Sequence, residues 1–334
     1  LAKPKLLWPG SGFSYANKRA HLAEQPGCCC CTGASFSCAN TGMHIFYTSS
    51  AHGIFNHSLQ TPASTRGGCG VAVHGGKLFC VYIDEFDIWG QIKVITKTER
   101  GAWSAPMDLG PRIYASQAPA IFTGGENLYV FVVVKGADGS SACWRFLYDD
   151  VTGVFIMGPL PNLKNITRPP AFVEMDGMLY MFYSRPNKII AWRKTRDFTT
   201  WSDEQWMYEE SDKPLLCDNP PTVIWYQGLI HVFATNNQGN HLLLKFDGGT
   251  NWTRPRLFVA EKYTNAPAAV VHNGLLKVVF NGPVSAPDNR DLFQYGYDGN
   301  STSPPTVSSN LMATERVGLG VLADRLYVLY RGSP

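Results

Sequence analysis

Apolar and polar positions alternate along this chain in short runs, and the runs recur roughly every fifty residues. Each copy opens on a small or Pro-containing apolar stretch, passes a turn residue and continues into a strand with an aliphatic anchor. The copies read AVHGGKLFCVY (72–82), AIFTGGENLYVFV (120–132), AFVEMDGMLYMFY (171–183), TVIWYQGLIHVF (222–233), AVVHNGLLKVVF (269–280) and GVLADRLYVLY (320–330). Their anchors are Leu78, Leu128, Leu179, Ile230, Leu276 and Leu326, and a weaker copy, ANTGMHIFY (39–47), precedes them. No segment carries a 3.6-residue apolar period, so helix should be nearly absent. Strand units at a fixed period predict an all-β fold, a β-propeller of four-stranded antiparallel blades.

One unit can be read strand by strand. Pro170–Glu174 is the innermost strand, Asp176-Gly177 turns the chain, and Met178–Tyr183 returns. Ile189–Thr195 is the third strand and Gln205–Glu209 the outer one. Copies begin near residues 34, 68, 118, 169, 220, 266 and 317, and the last has room for only two strands. A ring of blades has to hide its edges. Residues 1–30 are therefore expected to add outer strands to the blade begun by 317–334. That makes seven blades in a single domain, 1–334, with six the alternative if the first copy is an accessory.

Composition narrows the function. Apolar residues are 45% and charged residues 16% of the 334, which suits a large β core. Net charge is +3 with no Lys/Arg run, so no nucleic-acid partner is expected. No apolar stretch approaches the ~18–20 residues that would cross a bilayer, so no membrane insertion is expected either. N-x-S/T sequons begin at Asn56, Asn165, Asn251 and Asn300, which favours a secreted or extracellular protein. The nine cysteines are odd in number, with Cys28 to Cys31 consecutive. Adjacent cysteines chelate one metal with poor geometry, and no calcium loop of the D-x-D-x-D-G type occurs, so neither metal nor cofactor is expected. Two readings of the cysteines stay open. Cys38, Cys69, Cys80 and Cys143 are small core residues on strands, or a member of the 28–31 run ties the N-terminal segment to a blade.

A second motif rides on the repeat after each third strand. Thr195-Arg196-Asp197-Phe198-Thr199-Thr200-Trp201 and Lys245-Phe246-Asp247-Gly248-Gly249-Thr250-Asn251-Trp252 are its best copies, and Thr98–Trp103, Asp149 and Asp298 are degenerate ones. The carboxylate can accept turn N–H groups and the aromatic can fill the gap between outer strands, so Trp103, Trp201 and Trp252 read as structural. These turns resemble the Asp-box, S/T-x-D-x-G-x-T-W, of the sialidase-like β-propellers, a group that includes glycoside hydrolases and lectins. The resemblance is strongest over 168–202, RPPAFVEMDGMLYMFYSRPNKIIAWRKTRDFTTWS. It implies that Arg168 matches the arginine that grips a substrate carboxylate in sialidases. Thr199 stands where that motif has Gly, and the segment lies mid-chain, not in a first blade. In repeat regularity the chain looks closer to the propeller lectins than to the catalytic sialidases.

The residue leading into each innermost strand is polar: Arg66, Gln117, Arg168, Asn219, Asn265 and Arg316. Equivalent by repeat, they should line one opening and can hydrogen-bond a hydroxylated ligand, or each can simply cap its own turn. Loops between second and third strands share that face and add Arg185 and Asn236. Trp89, Trp225 and Tyr226 are aromatics that could take the apolar face of a sugar, or pack in the core. The leading expectation is a non-catalytic lectin that binds glycans or glycoproteins, with an oligomer left open. The alternative is a sialidase-like glycosidase with an arginine clamp of Arg66, Arg168 and Arg316, carboxylates from Asp84, Glu85, Asp87 or Asp218, and a phenol from Tyr114 or Tyr263. The third is a protein-interaction scaffold.

Overall fold

A computed structural model gives the fold. It describes residues 42–48, 54–65, 67–85, 87, 90–110, 115, 117–135, 141–164, 166, 168–249, 251–263, 265–282, 291–308, 313 and 315–331. Asn40–Pro334 is one compact unit, and Leu1–Ala39, the other, lies outside the described residues.

All regular structure among the described residues is β. Strands β1 (Gly42–Thr48) and β2 (Ile54–Ser64) come first. The first contiguous blade is β3 (Gly70–His74), β4 (Lys77–Ile83), β5 (Ile92–Thr98) and β6 (Met107–Asp108). The second is β7 (Ala120–Gly124), β8 (Asn127–Lys135), β9 (Ser141–Asp149) and β10 (Val154–Lys164). The third is β11 (Ala171–Met175), β12 (Met178–Ser184), β13 (Ile190–Thr195) and β14 (Gln205–Trp206), followed by a separate ribbon of β15 (Tyr208–Glu210) and β16 (Lys213–Pro214). The fourth is β17 (Thr222–Tyr226), β18 (Leu229–Thr235), β19 (His241–Phe246) and β20 (Arg256–Leu257). The fifth is β21 (Ala268–His272), β22 (Leu275–Asn281), β23 (Leu292–Tyr297) and β24 (Thr306–Ser308). Strands β25 (Gly318–Leu322) and β26 (Arg325–Arg331) end the series.

The expected seven blades are not what the chain builds. Five blades are each one contiguous antiparallel meander, and a further four-stranded sheet is assembled from both ends in the order β25-β26-β1-β2. The weak first copy is therefore no blade of its own. Its strand β1 pairs with β26 in register from Met43↔Arg331 to Thr48↔Leu326. Residues 1–30, expected to fill the outer positions beside 317–334, lie outside the described residues, and β1 with β2 takes those positions. The outer strand read as Gln205–Glu209 also differs, because the chain leaves the blade after Trp206 and folds back on itself as β15–β16.

Neighbouring inner strands lie side by side: β3 against β7, β7 against β11, β11 against β17, β17 against β21, and β25 against both β21 and β3. This convergence explains the small opening residues of every copy. A Cβ on Gly70 would stand 2.9 Å from the carbonyl oxygen of Pro119, and one on Gly318 would stand 2.3 Å from Val71 Cγ2. The anchors sit in the cores between blades, where Leu78, Leu128, Ile230, Leu276 and Leu326 are fully buried. Each alternates with residues that pack on the opposite neighbour.

Candidate functional site

The meander puts the lead-in residues at one end of the inner strands and the turns after the third strands at the other. At the lead-in end a channel of about 760 Å³ runs between the inner strands. Gln117, Arg168, Asn219, Asn265 and Arg316 all line it. Arg66 and Trp89 lie outside the described residues. The walls below these side chains are mostly Gly, Ala, Pro and short aliphatics, so the polar groups stand at the rim of an apolar shaft.

Charge in the channel is lopsided. Arg168 is exposed, and Glu315 is the only carboxylate among the described lining residues. Arg316 donates from Nη2 to Thr222 Oγ1 at 2.6 Å, and the Thr222 hydroxyl donates in turn to the carbonyl of Pro267. No ion pair among the described residues involves Arg168 or Arg316. Burial, and then the charge of Arg168, pulls the Arg316 guanidinium down to about 10. Arg316 remains a cation at neutral pH, close enough to Arg168 to feel its charge. The position of Thr222 at the start of β17 carries no local signal of this role. Nothing in its spacing signals that an arginine two blades away will reach it.

Arg185 and Asn236 are not brought to this channel. Arg185 pairs through Nη1 with Glu204 Oε1 at 3.2 Å, on the outer part of the third blade. Asn236 is buried and closes its own loop, accepting from the backbone N–H groups of Gln238 and Asn240 at 3.0 Å each and donating to Glu209. Trp225 is exposed on β17, while Tyr226 is buried and donates to the carbonyl of Gly274 at 2.8 Å.

The residues considered for hydrolysis are dispersed. Asp84 meets Lys93 at 2.6 Å, Glu85 meets Arg331 at 3.7 Å and Asp218 meets Lys188 at 2.7 Å. Tyr263 is buried, its hydroxyl 2.7 Å from that of Tyr295, and burial raises it far above the ordinary phenol range. None of these lines the channel, and Tyr114 lies outside the described residues.

The turns after the third strands are held by carboxylates. Asp197 Oδ1 accepts from the N–H groups of Thr199 and Thr200 at 2.8 and 2.9 Å, and these bonds hold its carboxyl well below the usual range. Asp298 does the same for Asn300 and Ser301, and Asp247 for Gly249. Trp252 stacks on Phe246 at 4.2 Å between centroids, and Trp201 packs on the core between the second and third blades. Among the cysteines of the described residues, Cys80, Cys143 and Cys217 are buried, and Cys69 lies half-buried in the channel wall.

The chain is thus an all-β propeller with a polar-rimmed axial channel. Its fold is similar to the fucose-specific lectin of Aleuria aurantia, with a TM-score of 0.59 and 12% identity over 80% of this chain and 88% of that one. It is also similar to an α-L-arabinofuranosidase of Clostridium thermocellum (TM-score 0.50, 17% identity, 72% and 94% covered). A third likeness is to an exo-β-1,3-galactanase of Phanerochaete chrysosporium (TM-score 0.51, 10% identity, 80% and 67% covered). At these identities the likeness is one of fold. No family model and no curated protein matches the chain.

Proposed function

We propose that this protein is a secreted, non-catalytic carbohydrate-binding propeller whose axial channel takes an acidic glycan. One observation carries the reading: repeat-equivalent polar residues line one channel, and among the described residues neither of its arginines, Arg168 or Arg316, is in an ion pair. Gln117, Asn219 and Asn265 supply amides that donate to and accept from hydroxyls. Arg168 and Arg316 supply guanidinium groups suited to a carboxylate or sulfate. The sugar-handling neighbours in fold, a lectin among them, support a carbohydrate ligand.

A sialidase-like glycosidase is the second reading, favoured by the convergence of Arg168 and Arg316 and by the carboxylate-closed turn at Asp197. Most glycoside hydrolysis needs a pair of carboxyl groups flanking the bond, and Glu315 is the single described candidate in the channel. That shortage weighs for binding without turnover.

A glycan array together with fluorogenic glycosides tests both readings. Acidic glycans should bind, and Arg168→Ala should weaken them about ten- to a hundredfold, the worth of a charge-assisted hydrogen bond, with less effect on neutral glycans. Released fluorophore that disappears in a folded Arg168→Ala variant would make the protein an enzyme. Binding to proteins alone would make it a scaffold.

A further inference from the structure

A second cluster of chemistry-bearing side chains stands outside the channel, on the third blade. Glu204 accepts at Oε1 from Arg185 Nη1 and from the indole Nε1 of Trp206, each at 3.2 Å, and at Oε2 from the hydroxyl of Tyr183. The Arg185 guanidinium lies 5.7 Å from the Trp206 ring centroid. Arg193 borders Tyr183, and its Nε is buried without a hydrogen-bond partner.

The fold does not require this cluster. Thr195, Phe246, Lys97 and Tyr297 are equivalent, each bridging to its turn. Counting back four residues from each fixes the fourth-strand register. Trp206 then faces Ala191 where Leu257 faces Leu242, Asp108 faces Lys93 and Val307 faces Phe293. Those blades hold their fourth strands with no tryptophan at this position and no arginine–glutamate pair among the described residues there. Trp206 is nonetheless 39% exposed and begins an exposed face that continues through Tyr208 and Leu216, whose register neighbour Pro214 faces Tyr208. The alternate residues Met207, Leu215 and Cys217 fill the core behind it.

We propose that Arg185, Glu204 and Trp206 form a second carbohydrate site, separate from the channel, that takes a neutral pyranoside. The exposed indole offers a flat apolar surface to the C–H face of the ring. One hydroxyl of a vicinal pair donates to Glu204 while its neighbour accepts from Arg185 in the plane of the guanidinium. The carboxylate and guanidinium cancel in charge, so this site favours a neutral sugar, whereas the channel favours an acidic one. Its small footprint points to millimolar affinity, useful through multivalency with the channel.

The test titrates the whole chain with methyl β-D-galactopyranoside and methyl α-L-fucopyranoside. It follows the indole N–H resonance of Trp206, identified by its loss in Trp206→Phe. A saturable shift with millimolar Kd is expected for at least one probe, weakened about tenfold or more by Arg185→Met and unchanged by Arg168→Ala. Saturation transfer to the same probe should vanish in Trp206→Ala and persist in part in Trp206→Tyr, and because position 206 is exposed both variants should melt near the parent temperature. Absence of a saturable shift with either probe up to about 100 mM would overturn the proposal. So would a shift that survives Trp206→Ala at other resonances, or one abolished by Arg168→Ala, which would place the sugar in the channel.

Discussion

Arg316 and Thr222 are 94 residues apart in sequence, and the guanidinium of one donates to the hydroxyl of the other across 2.6 Å. The Thr222 hydroxyl donates in turn to the carbonyl of Pro267, so one polar chain links the starts of β25, β17 and β21. Thr222→Val keeps the shape and removes both bonds. It should cost about 2 kcal/mol in urea unfolding, because a half-buried cation loses its acceptor, while Thr222→Ser should stay within about 1 kcal/mol of the parent. Equal stability of the valine and serine variants would mean that water replaces the threonine oxygen at no cost.

The turn at Asp197 contains a residue in the left-handed region, Phe198 at φ 60°, where the fourth and fifth blades have Gly248 and Gly299 at φ 84° and 102°. Phe198 accepts this geometry because its ring is buried between Tyr129, Phe172 and the Arg145 guanidinium, the last at 4.9 Å from the centroid. Both Phe198→Ala and Phe198→Gly lose that packing, but only glycine removes the strain. The glycine variant should be the more stable by about 1 kcal/mol in chemical denaturation, the reverse of the ordinary order within strands. An alanine variant at least as stable as the glycine one would show that the strain is negligible.

His231 and His241 are buried, and burial lowers both to about 4. His241 Nε2 accepts from the N–H of Tyr263 at 3.0 Å, and His231 Nε2 has no partner between the rings of Tyr226 and Tyr297. In the unfolded chain an imidazole titrates near 6.5, so between these values the unfolded state binds more protons. Their contribution to stability is complete above about pH 6.5 and is lost as pH falls to about 4, at roughly 3 kcal/mol each when fully expressed. Melting temperature followed from pH 7 to 4.5 should decline, and His231→Phe should flatten part of that slope. An unchanged slope in the phenylalanine variant would show that His231 does not titrate in this window.

Strand β26 is covered on one side by β25 and on the other by β1. A chain shortened to begin at Thr65 would leave the β26 edge without its partner. It should associate or aggregate, as read by light scattering at increasing concentration. A monomer that melts like the full chain would show that the β1–β26 pairing is dispensable.

The repeat, the strand type and the four-stranded meander were legible in the chain because side-chain alternation and turn residues act within a few residues of each other. For the same reason the Asp197, Asp247 and Asp298 turns could be read directly, since the acceptor and its N–H donors are two to four residues apart. The fifty-residue spacing also placed Gln117, Arg168, Asn219, Asn265 and Arg316 at equivalent positions, and equivalence around an axis brings them to one channel. Only the tertiary structure decided that the weak first copy joins β26 and does not make a blade of its own. Strand pairing across almost the whole chain is set by edges that need covering, not by local pattern. It alone decided that Arg316 reaches Thr222, and that Arg185 turns outward to Glu204 while its loop shares a face with the channel residues. Long side chains choose among partners that the fold brings within reach, and those distances do not exist along the sequence.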